Sequence, residues 1–229
     1  MKKDNWKTQR IYFQNGYNKC TLEYYIKNDD NVGLMNLISS FEVIDDKTDK
    51  KTFNSKTLHE EKFDFDQRIE PSLFERCDFV RHRPTLIQFA AFFGSKKCFS
   101  ILLSKGANTK IKDDEGKSLI EFVVAGGNMK IFNMCREAKN IDLEGAIQTT
   151  VEFHRYAMMI TLIDQLDIDN TESTEAFSSI FHYAAKYNNV RTIFFCLENG
   201  CSVNMPDFNG RTPLHFAAEF GQYDSLFAL

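Results

Sequence analysis

Short apolar segments recur at a fixed interval through the last two thirds of the chain. The clearest copy is residues 212–221, where apolar and small residues follow Thr-Pro and end at a glycine. Residues 179–188 repeat this pattern 33 residues earlier, and residues 85–94 and 118–127 are separated by the same interval. A period of this length is typical of stacked helical repeats, in which each unit buries its apolar face against its neighbours.

The residues within one copy predict two short helices joined by a tight turn. Thr212 is a good helix N-cap, and Pro213 suits the first helical turn, where a backbone N–H has no partner. Gly221 permits a sharp reversal into a second helix, and Gly200 permits the left-handed conformation that ends one. Each unit is therefore expected to run as helix, turn, helix, glycine stop and an extended finger. The chain holds about four to five such units.

The third copy is degenerate. Residues 153–157 place His154 at the repeat position of His182, but only 28 residues separate these two histidines. About five residues are missing from this interval, so we expect the finger of the third copy, within residues 141–170, to be truncated.

These residues resemble the ankyrin repeat, whose signature combines Thr-Pro-Leu-His, Ala-Ala, Gly and a Leu-Leu-x-x-Gly-Ala stop. The match is nearly complete at 207–221 and good at 179–204 and 85–124. The arrangement is also similar to the expanded ankyrin-protein families of protists. The resemblance implies an all-α ankyrin-repeat solenoid with short β-hairpin fingers. It divides residues 81–229 into repeats at about 81–113, 114–141, a degenerate 142–170, 174–206 and a partial 207–229.

Residues 1–80 lack the repeat signature. Apolar residues spaced through 17–41 predict two short helices with a break at Asn28–Asn31, and Pro71 could start a short helix through Phe74. Residues 45–61 are rich in Lys, Asp, Thr and Ser and predict a mobile surface loop. We interpret 1–80 as a helical cap that shields the end of the repeat core. A separate small partner-binding domain is the alternative.

The other end of the repeats is open. Tyr223, Leu226 and Phe227 lie where a following repeat would normally cover them. The last repeat is therefore expected to fray, to bind a partner or to self-associate, and a truncated longer protein is a further alternative.

Composition narrows the class of protein. Hydrophobic residues are 43% and charged residues 26% of the chain, which is ordinary for a globular fold. A net charge of −4 gives no global attraction for nucleic acid or for an anionic membrane. No segment resembles a secretory signal peptide or is long enough to cross a bilayer, so we expect a cytoplasmic protein, with nuclear entry not excluded. The six cysteines are irregularly spaced and predict buried free thiols: Cys20, Cys77, Cys98, Cys135, Cys196 and Cys201.

No residue constellation predicts catalysis. The chain contains neither a phosphate-binding glycine loop nor a nucleophile motif, and its histidines are too widely spaced for zinc. The resemblance instead implies that His154, His182 and His215 hydrogen-bond the backbone between units. We therefore predict a protein that is not an enzyme and has no cofactor or metal.

The remaining candidate function is binding of a protein partner on the concave face. The ankyrin resemblance implies contact positions beside the finger aspartate and before the inter-helix glycine: Phe92, Phe93, Lys112, Asp114, Glu115, Lys117, Lys186, Tyr187, Phe208, Asn209, Arg211, Glu219 and Phe220, with Ala125, Gly126 and Pro206 as further members. Five of these are aromatic, and buried aromatic anchors dominate interface energetics. The alternative is that these rings pack on the protein's own N-terminal cap or on longer helices. Phe99, Phe132, Phe194 and Phe195 of the second helices are instead expected in the core.

Two other interpretations remain open. In one, the chain is an adaptor whose residues 1–80 recruit a second partner such as ubiquitin-ligase machinery. In the other, it is a protein regulator that occludes the active site of an enzyme.

Overall fold

The computed structural model describes residues 19–42, 63–70, 77–137, 145–165 and 173–229. The chain forms two compact units, residues 1–119 and 120–229. The described residues form thirteen helices and no strand, so the all-α prediction is confirmed there. None of these helices is both long and apolar enough to cross a membrane. The predicted loop at 45–61 and the predicted helix from Pro71 to Phe74 lie outside the described residues.

The first unit consists of two helix pairs and one short helix. Helices α1 (Lys19–Lys27) and α2 (Asn31–Glu42) form the first pair, with the predicted break between them. After α3 (Asp78–Arg81) comes the second pair, α4 (Leu86–Phe92) and α5 (Lys96–Ser104). Helix α1 packs on α4 and α2 packs on α5, so the first pair stacks on the second in parallel register. The fully buried side chains of this core include Ile26, Leu34, Ile38, Phe89 and Phe99.

The second unit contains the remaining helices. They are α6 (Leu119–Gly126), which begins one residue before this unit, α7 (Met129–Glu137), α8 (Ala146–Glu152), α9 (Tyr156–Gln165), α10 (Ser173–Lys186), α11 (Val190–Glu198), α12 (Pro213–Glu219) and α13 (Tyr223–Ala228). Helix α10 is the centre of the packing, since it contacts α8, α11, α12 and α13. Its inward residues Phe177, Ile180, Phe181 and Ala184 form the core with Met159.

Three of the four second-helix aromatics pack in or against the core, as predicted. Phe99 and Phe132 are fully buried, and Phe195 packs partly buried against the core. Phe194 is the exception, because half of its surface is exposed. It is adjacent to Phe195 on a helix turning about 100° per residue, so only one of the two rings can face inward.

The same turn joins the two helices of each of the six described pairs. One residue takes the left-handed conformation, with φ between 51° and 74°: Asp29, Gly94, Gly127, His154, Asn188 and Gly221. In five of these turns the next N–H bonds the carbonyl five residues earlier, which is the Schellman arrangement that satisfies a helix C-terminus. The α1–α2 pair therefore shares the turn geometry of the repeats, although its sequence lacks their signature.

This geometry corrects the predicted register of the third copy. His154 occupies the inter-helix turn, with φ of 55°, and does not share the helical position of His182. The corresponding turn residues are 27 residues apart from Gly127 to His154 and 34 apart from His154 to Asn188. The missing residues therefore precede α8, whereas the sequence pattern placed them after the third copy.

Side chains also connect successive pairs at these turns. The residue after the left-handed position donates a hydrogen bond to a carbonyl near the end of the preceding pair's first helix. The bonds run from Ser95 to Ile26, from Arg155 to Ala125, from Asn189 to Val151 and from Gln222 to Lys186. The stacking is thus held by backbone-directed bonds as well as by apolar burial.

Each described finger closes on an aspartate. The Asp113 N–H donates to the Lys117 carbonyl at 3.1 Å, and the Asp207 N–H donates to the Arg211 carbonyl at 2.8 Å. Among the described residues the only bridge is an isolated pairing of Arg68 with Thr85. A second backbone bond joins the Gly116 N–H to the Asp113 carbonyl and the Gly210 N–H to the Asp207 carbonyl. The fingers are therefore tight turns, which corrects the expected β-hairpins.

Candidate functional site

The charged residues predicted for partner contact on the first finger are engaged within their own unit. Asp114 lies 3.0 Å from the Arg68 guanidinium and 3.6 Å from that of Arg83. Glu115 lies 3.1 Å from His82 and 2.9 Å from the Lys117 ammonium. Arg68 also donates to the backbone carbonyl of Lys112 at 2.8 Å. The segments at 63–70 and 81–83 therefore compete with any partner for these groups.

The aromatic residues predicted in this unit also contact the protein itself. Phe92 stacks on Phe79 with ring centroids 5.9 Å apart, and Phe93 lies 4.7 Å from Phe89. The Lys27 ammonium lies 5.0 Å above the Phe93 ring, which remains 38% exposed. In this part of the chain the predicted rings therefore pack on the protein's own N-terminal region, which was the alternative to partner contact.

In the second unit, five of the predicted residues surround one open cavity. It has a volume of about 640 Å³ and lies between α10, α12 and the finger that joins α11 to α12. These five are Lys186, Phe208, Arg211, Glu219 and Phe220, and Pro206, a further member of the predicted set, also lines the cavity. The lining residues that were not predicted are Ser178, Ser179, His182, Tyr183, Asp207 and Phe216. We call this space the 178–220 groove. Its volume is within the range of sites for small ligands or short peptide segments.

Lys186 lies among three aromatic rings at the end of α10. Its ammonium is 4.9 Å from the Phe220 centroid, 5.0 Å from Tyr187 and 5.7 Å from Tyr183. Tyr183 and Tyr187 stack nearly parallel, 6.1 Å apart, because they are four residues apart on one helix face. The ring quadrupoles favour a cation at this place. Tyr187 thus supports Lys186 from beside the groove.

Arg211, on the opposite side, is held by two carboxylates. Its Nε and Nη2 donate to Asp207 Oδ2 at 3.0 Å, and its Nη1 lies 3.6 Å from Glu219. Desolvation acts to raise the pKa of the Asp207 carboxyl, but bonds from the Arg211 and Asn209 N–H groups and from the Arg211 guanidinium lower this pKa below its ordinary value. Asn209 therefore shapes the finger turn and does not line the groove.

His182 joins the floor of the groove to the finger. Its Nε2 lies 3.0 Å from the Arg211 carbonyl and its Nδ1 lies 2.6 Å from the Ser178 carbonyl. Gln88 does the same in the first unit, donating to the Ile111 and Lys117 carbonyls. His215 bonds only Thr212 of its own cap, among its described contacts. All three histidines were expected to hydrogen-bond the backbone between successive repeats. Among the described contacts only His182 does so.

The predicted contact set missed the inward face of α10. Ser178, Ser179, His182 and Tyr183 precede Lys186 by intervals of about one and two helical turns, so they line the same face. Helical periodicity counted back from Lys186 would have found them. Phe208 could be predicted, and its ring is fully exposed.

The described residues hold no group of three His, Cys, Asp or Glu side chains placed to bind a metal ion. Cys77, Cys98, Cys135, Cys196 and Cys201 are free thiols, and all except Cys77 are buried; the side chain of Cys20 is outside the described residues. Burial raises the pKa of the Cys98 and Cys135 thiols to about 12, so they are not nucleophiles at neutral pH.

Comparison with known proteins identifies the repeat. The family described as "Ankyrin repeats (many copies)" matches residues 181–229, the segment that contains α11, α12, α13 and most of the groove. Residues 181–229 therefore consist of ankyrin repeats. The predicted fold class is thereby confirmed, and ankyrin repeats mediate protein–protein interaction as a class.

Solved structures support the fold over a longer stretch. In all, 246 solved chains match significantly. One comes from the structure of the Bd0816 predatory endopeptidase of Bdellovibrio bacteriovorus in complex with immunity protein Bd3460, with a TM-score of 0.56 and 14% identity. The match covers 91% of this chain and 95% of the other. At this identity the likeness concerns the fold alone. No curated protein sequence matches significantly.

Proposed function

We propose that this protein is a non-catalytic protein-binding module that recognises its partner through the 178–220 groove. The observation that carries the proposal is the pair of rings at the mouth of the groove. Phe208 is fully exposed and Phe220 is 46% exposed, although both line a concave space. Exposed apolar side chains around a cavity rimmed by polar groups mark interaction sites.

The groove is favoured over the first finger because its groups are less used by the chain itself. Asp114 is paired with two arginines and Phe93 lies under Lys27, so binding there would have to break existing contacts. Phe208 has no such cover, and its burial by a partner would remove a large aromatic surface from water.

The test is quantitative affinity capture with three baits, each purified as the full chain. The groove variant carries Phe208→Ser and Phe220→Ser. The matched control carries Phe194→Ser and Phe227→Ser, which remove two rings that are 50% and 90% exposed and do not line the groove. We expect the recovery of a partner enriched by the wild type and the control to fall at least about tenfold with the groove variant, since truncating an interface anchor costs about 2 kcal/mol or more.

Each alternative gives a different outcome. A partner kept by the groove variant and lost by the control would move recognition to the surfaces of α11 and α13 that carry Phe194 and Phe227. A partner kept by both variants would overturn the groove proposal and favour residues 1–80, as in the adaptor interpretation. If the recovered partner is an enzyme, stoichiometric inhibition of it would support the regulator interpretation.

A further inference from the structure

The 178–220 groove contains one cation with no carboxylate beside it among the described residues. Lys186 is held by Tyr183, Tyr187 and Phe220, all of which are neutral. Arg211 differs, because Asp207 and Glu219 already neutralise it. An incoming anion would therefore meet the Lys186 ammonium as the uncompensated charge of the groove.

The surroundings of Lys186 make it a defined site. Its stem is half-buried and its head lies within 4.9–5.7 Å of three ring centroids. The rings limit where the ammonium can move, so less side-chain entropy is lost when a partner binds it. They also exclude water from part of its surface, which strengthens a contact with a charge.

The same rings provide an apolar surface next to the charge. Because the Phe220 centroid is only 4.9 Å from Lys186 Nζ, a group bound to the ammonium brings its neighbours against that ring. In an extended segment, side chains two residues apart face the same side about 6–7 Å from each other. An acidic residue on Lys186 would thus place the residue at i+2 or i−2 on Phe220.

We propose that the groove binds a short extended peptide segment whose Asp or Glu carboxylate pairs with Lys186 and whose neighbouring apolar side chain covers Phe220 and Phe208. This inference rests on the proposed function and specifies the chemistry of its partner. The groove volume of about 640 Å³ suits a few side chains of such a segment.

A carboxylate fits these groups better than a phosphate does. Phosphate recognition normally uses several cationic donors, with arginine forks foremost. Here the Arg211 fork is occupied by Asp207 and Glu219, and a doubly charged phosphate would be repelled by both carboxylates. One ammonium on an apolar wall matches one monoanion.

The first experiment selects peptides from a random dodecapeptide library displayed on phage. The full chain is the bait, and the Phe208→Ser/Phe220→Ser chain is used for counter-selection. We expect the selected peptides to share an Asp or Glu with an aliphatic or aromatic residue two positions away. A selected pool without acidic residues, or a failure to enrich any peptide, would overturn the inference.

The second experiment measures one selected peptide by fluorescence anisotropy. Lys186→Gln should weaken binding about fivefold or more, whereas Lys186→Arg should keep it within about threefold. Changing the peptide's acid to its amide should have the same effect on the wild type and almost none on Lys186→Gln. If the losses of affinity from Lys186→Gln and from the peptide amide add when the two changes are combined, the ammonium and the peptide's acid are not in contact, and the pairing is overturned.

Two further arms separate this inference from its rivals. A phosphoserine in place of the acid should bind no tighter than the carboxylate; tighter binding would assign the site to phosphate instead. A peptide lost with Phe208→Ser/Phe220→Ser but unaffected by Lys186→Gln would overturn the acidic specificity and leave the proposed function standing. Failure of the proposed function would appear separately, in the capture experiment.

Discussion

The Asn188 side chain accepts a hydrogen bond through Oδ1 from the backbone N–H of Ser225 at 3.0 Å. Asn188 is the left-handed residue of one inter-helix turn, and Ser225 lies in the first turn of the second helix of the next repeat. Asp29 has the same relationship to α5, since its Oδ1 accepts from the Lys97 and Cys98 N–H groups at 2.8 and 3.0 Å. These two turn residues thus each cap a helix of the neighbouring pair.

This arrangement explains two residues that depart from glycine at the turn. Ser95 and Gln222, at the N-cap positions of α5 and α13, make no side-chain cap bond, because their side chains reach back to the preceding pair. Asn and Asp tolerate positive φ better than most residues, so Asp29 and Asn188 can replace glycine and supply the missing acceptor.

We predict that Asp29→Gly destabilises the protein by about 1 kcal/mol and Asp29→Ala by about 2–3 kcal/mol. Glycine keeps the backbone conformation and loses only the cap, whereas alanine also pays for its left-handed conformation. Asp29→Asn retains an acceptor and should remain close to wild type. Thermal unfolding by circular dichroism measures these changes, at roughly 2–4 °C for each kcal/mol. Equal melting temperatures for the Gly variant and the wild type would contradict the capping role.

A second prediction concerns His182, which contacts the carbonyls of Ser178 and Arg211. His182→Ala leaves both carbonyls without this partner and should cost about 1–3 kcal/mol. Gln88 performs the corresponding role in the first unit with an amide, so His182→Gln should recover at least half of the loss. Denaturant unfolding of the three proteins checks both values. If the Gln variant is no more stable than the Ala variant, the amide and the ring are not equivalent here.

The period of the repeats could be predicted because stacking requires the same small and apolar residues in each unit. The register of the third copy could not, because Phe153–Ala157 has the composition of a first helix, although His154 lies in the turn. The turn requires a positive φ at one residue. A glycine at this position indicates the turn in the sequence, whereas a histidine does not.

The candidate site likewise contains residues that the sequence could predict and contacts that it could not. Lys186, Phe208 and Phe220 could be predicted because their contact positions recur with the repeat. The pairing of Asp114 with Arg68 and Arg83 could not, since it joins the first finger to segments outside the repeat pattern. Contacts between residues 46 apart in sequence are set by the packing of the folded chain.

A third prediction concerns the thiols. Cys98 and Cys135 are buried with pKa values raised by burial to about 12, and Cys77 is half-buried. At pH 8, iodoacetamide should therefore modify Cys77 before Cys98 and Cys135, which should react at least about tenfold more slowly than in urea-unfolded protein. Mass spectrometry of tryptic peptides gives the rate at each site. Rates for Cys98 and Cys135 equal to those of the unfolded chain would show that their helices open readily.

The final prediction compares Asp113 and Asp207, which occupy equivalent finger turns. Their pKa values are shifted in opposite directions from the ordinary value. Burial raises the pKa of Asp113, despite bonds from the Lys117 and Glu115 N–H groups. Its buried Oδ2 has no hydrogen-bond partner among the described residues. The Lys117 ammonium pairs with Glu115 and lies over the Phe79 ring. The pKa of Asp207 is lowered because Arg211, at the position of Lys117, donates to its Oδ2.

The two groups should therefore change stability with pH in opposite senses. Ionised Asp207 contributes stability above its unfolded pKa near 3.8, and this is lost as the pH falls through its lower folded pKa. Ionisation of Asp113 costs stability as the pH rises from 3.8 through its higher folded pKa. Relative to wild type, Asp207→Asn should thus become less stable from pH 3 to pH 7 and Asp113→Asn more stable. Melting temperatures across this range measure both differences, and slopes of the same sign would show that Arg211 and Lys117 do not distinguish the two fingers.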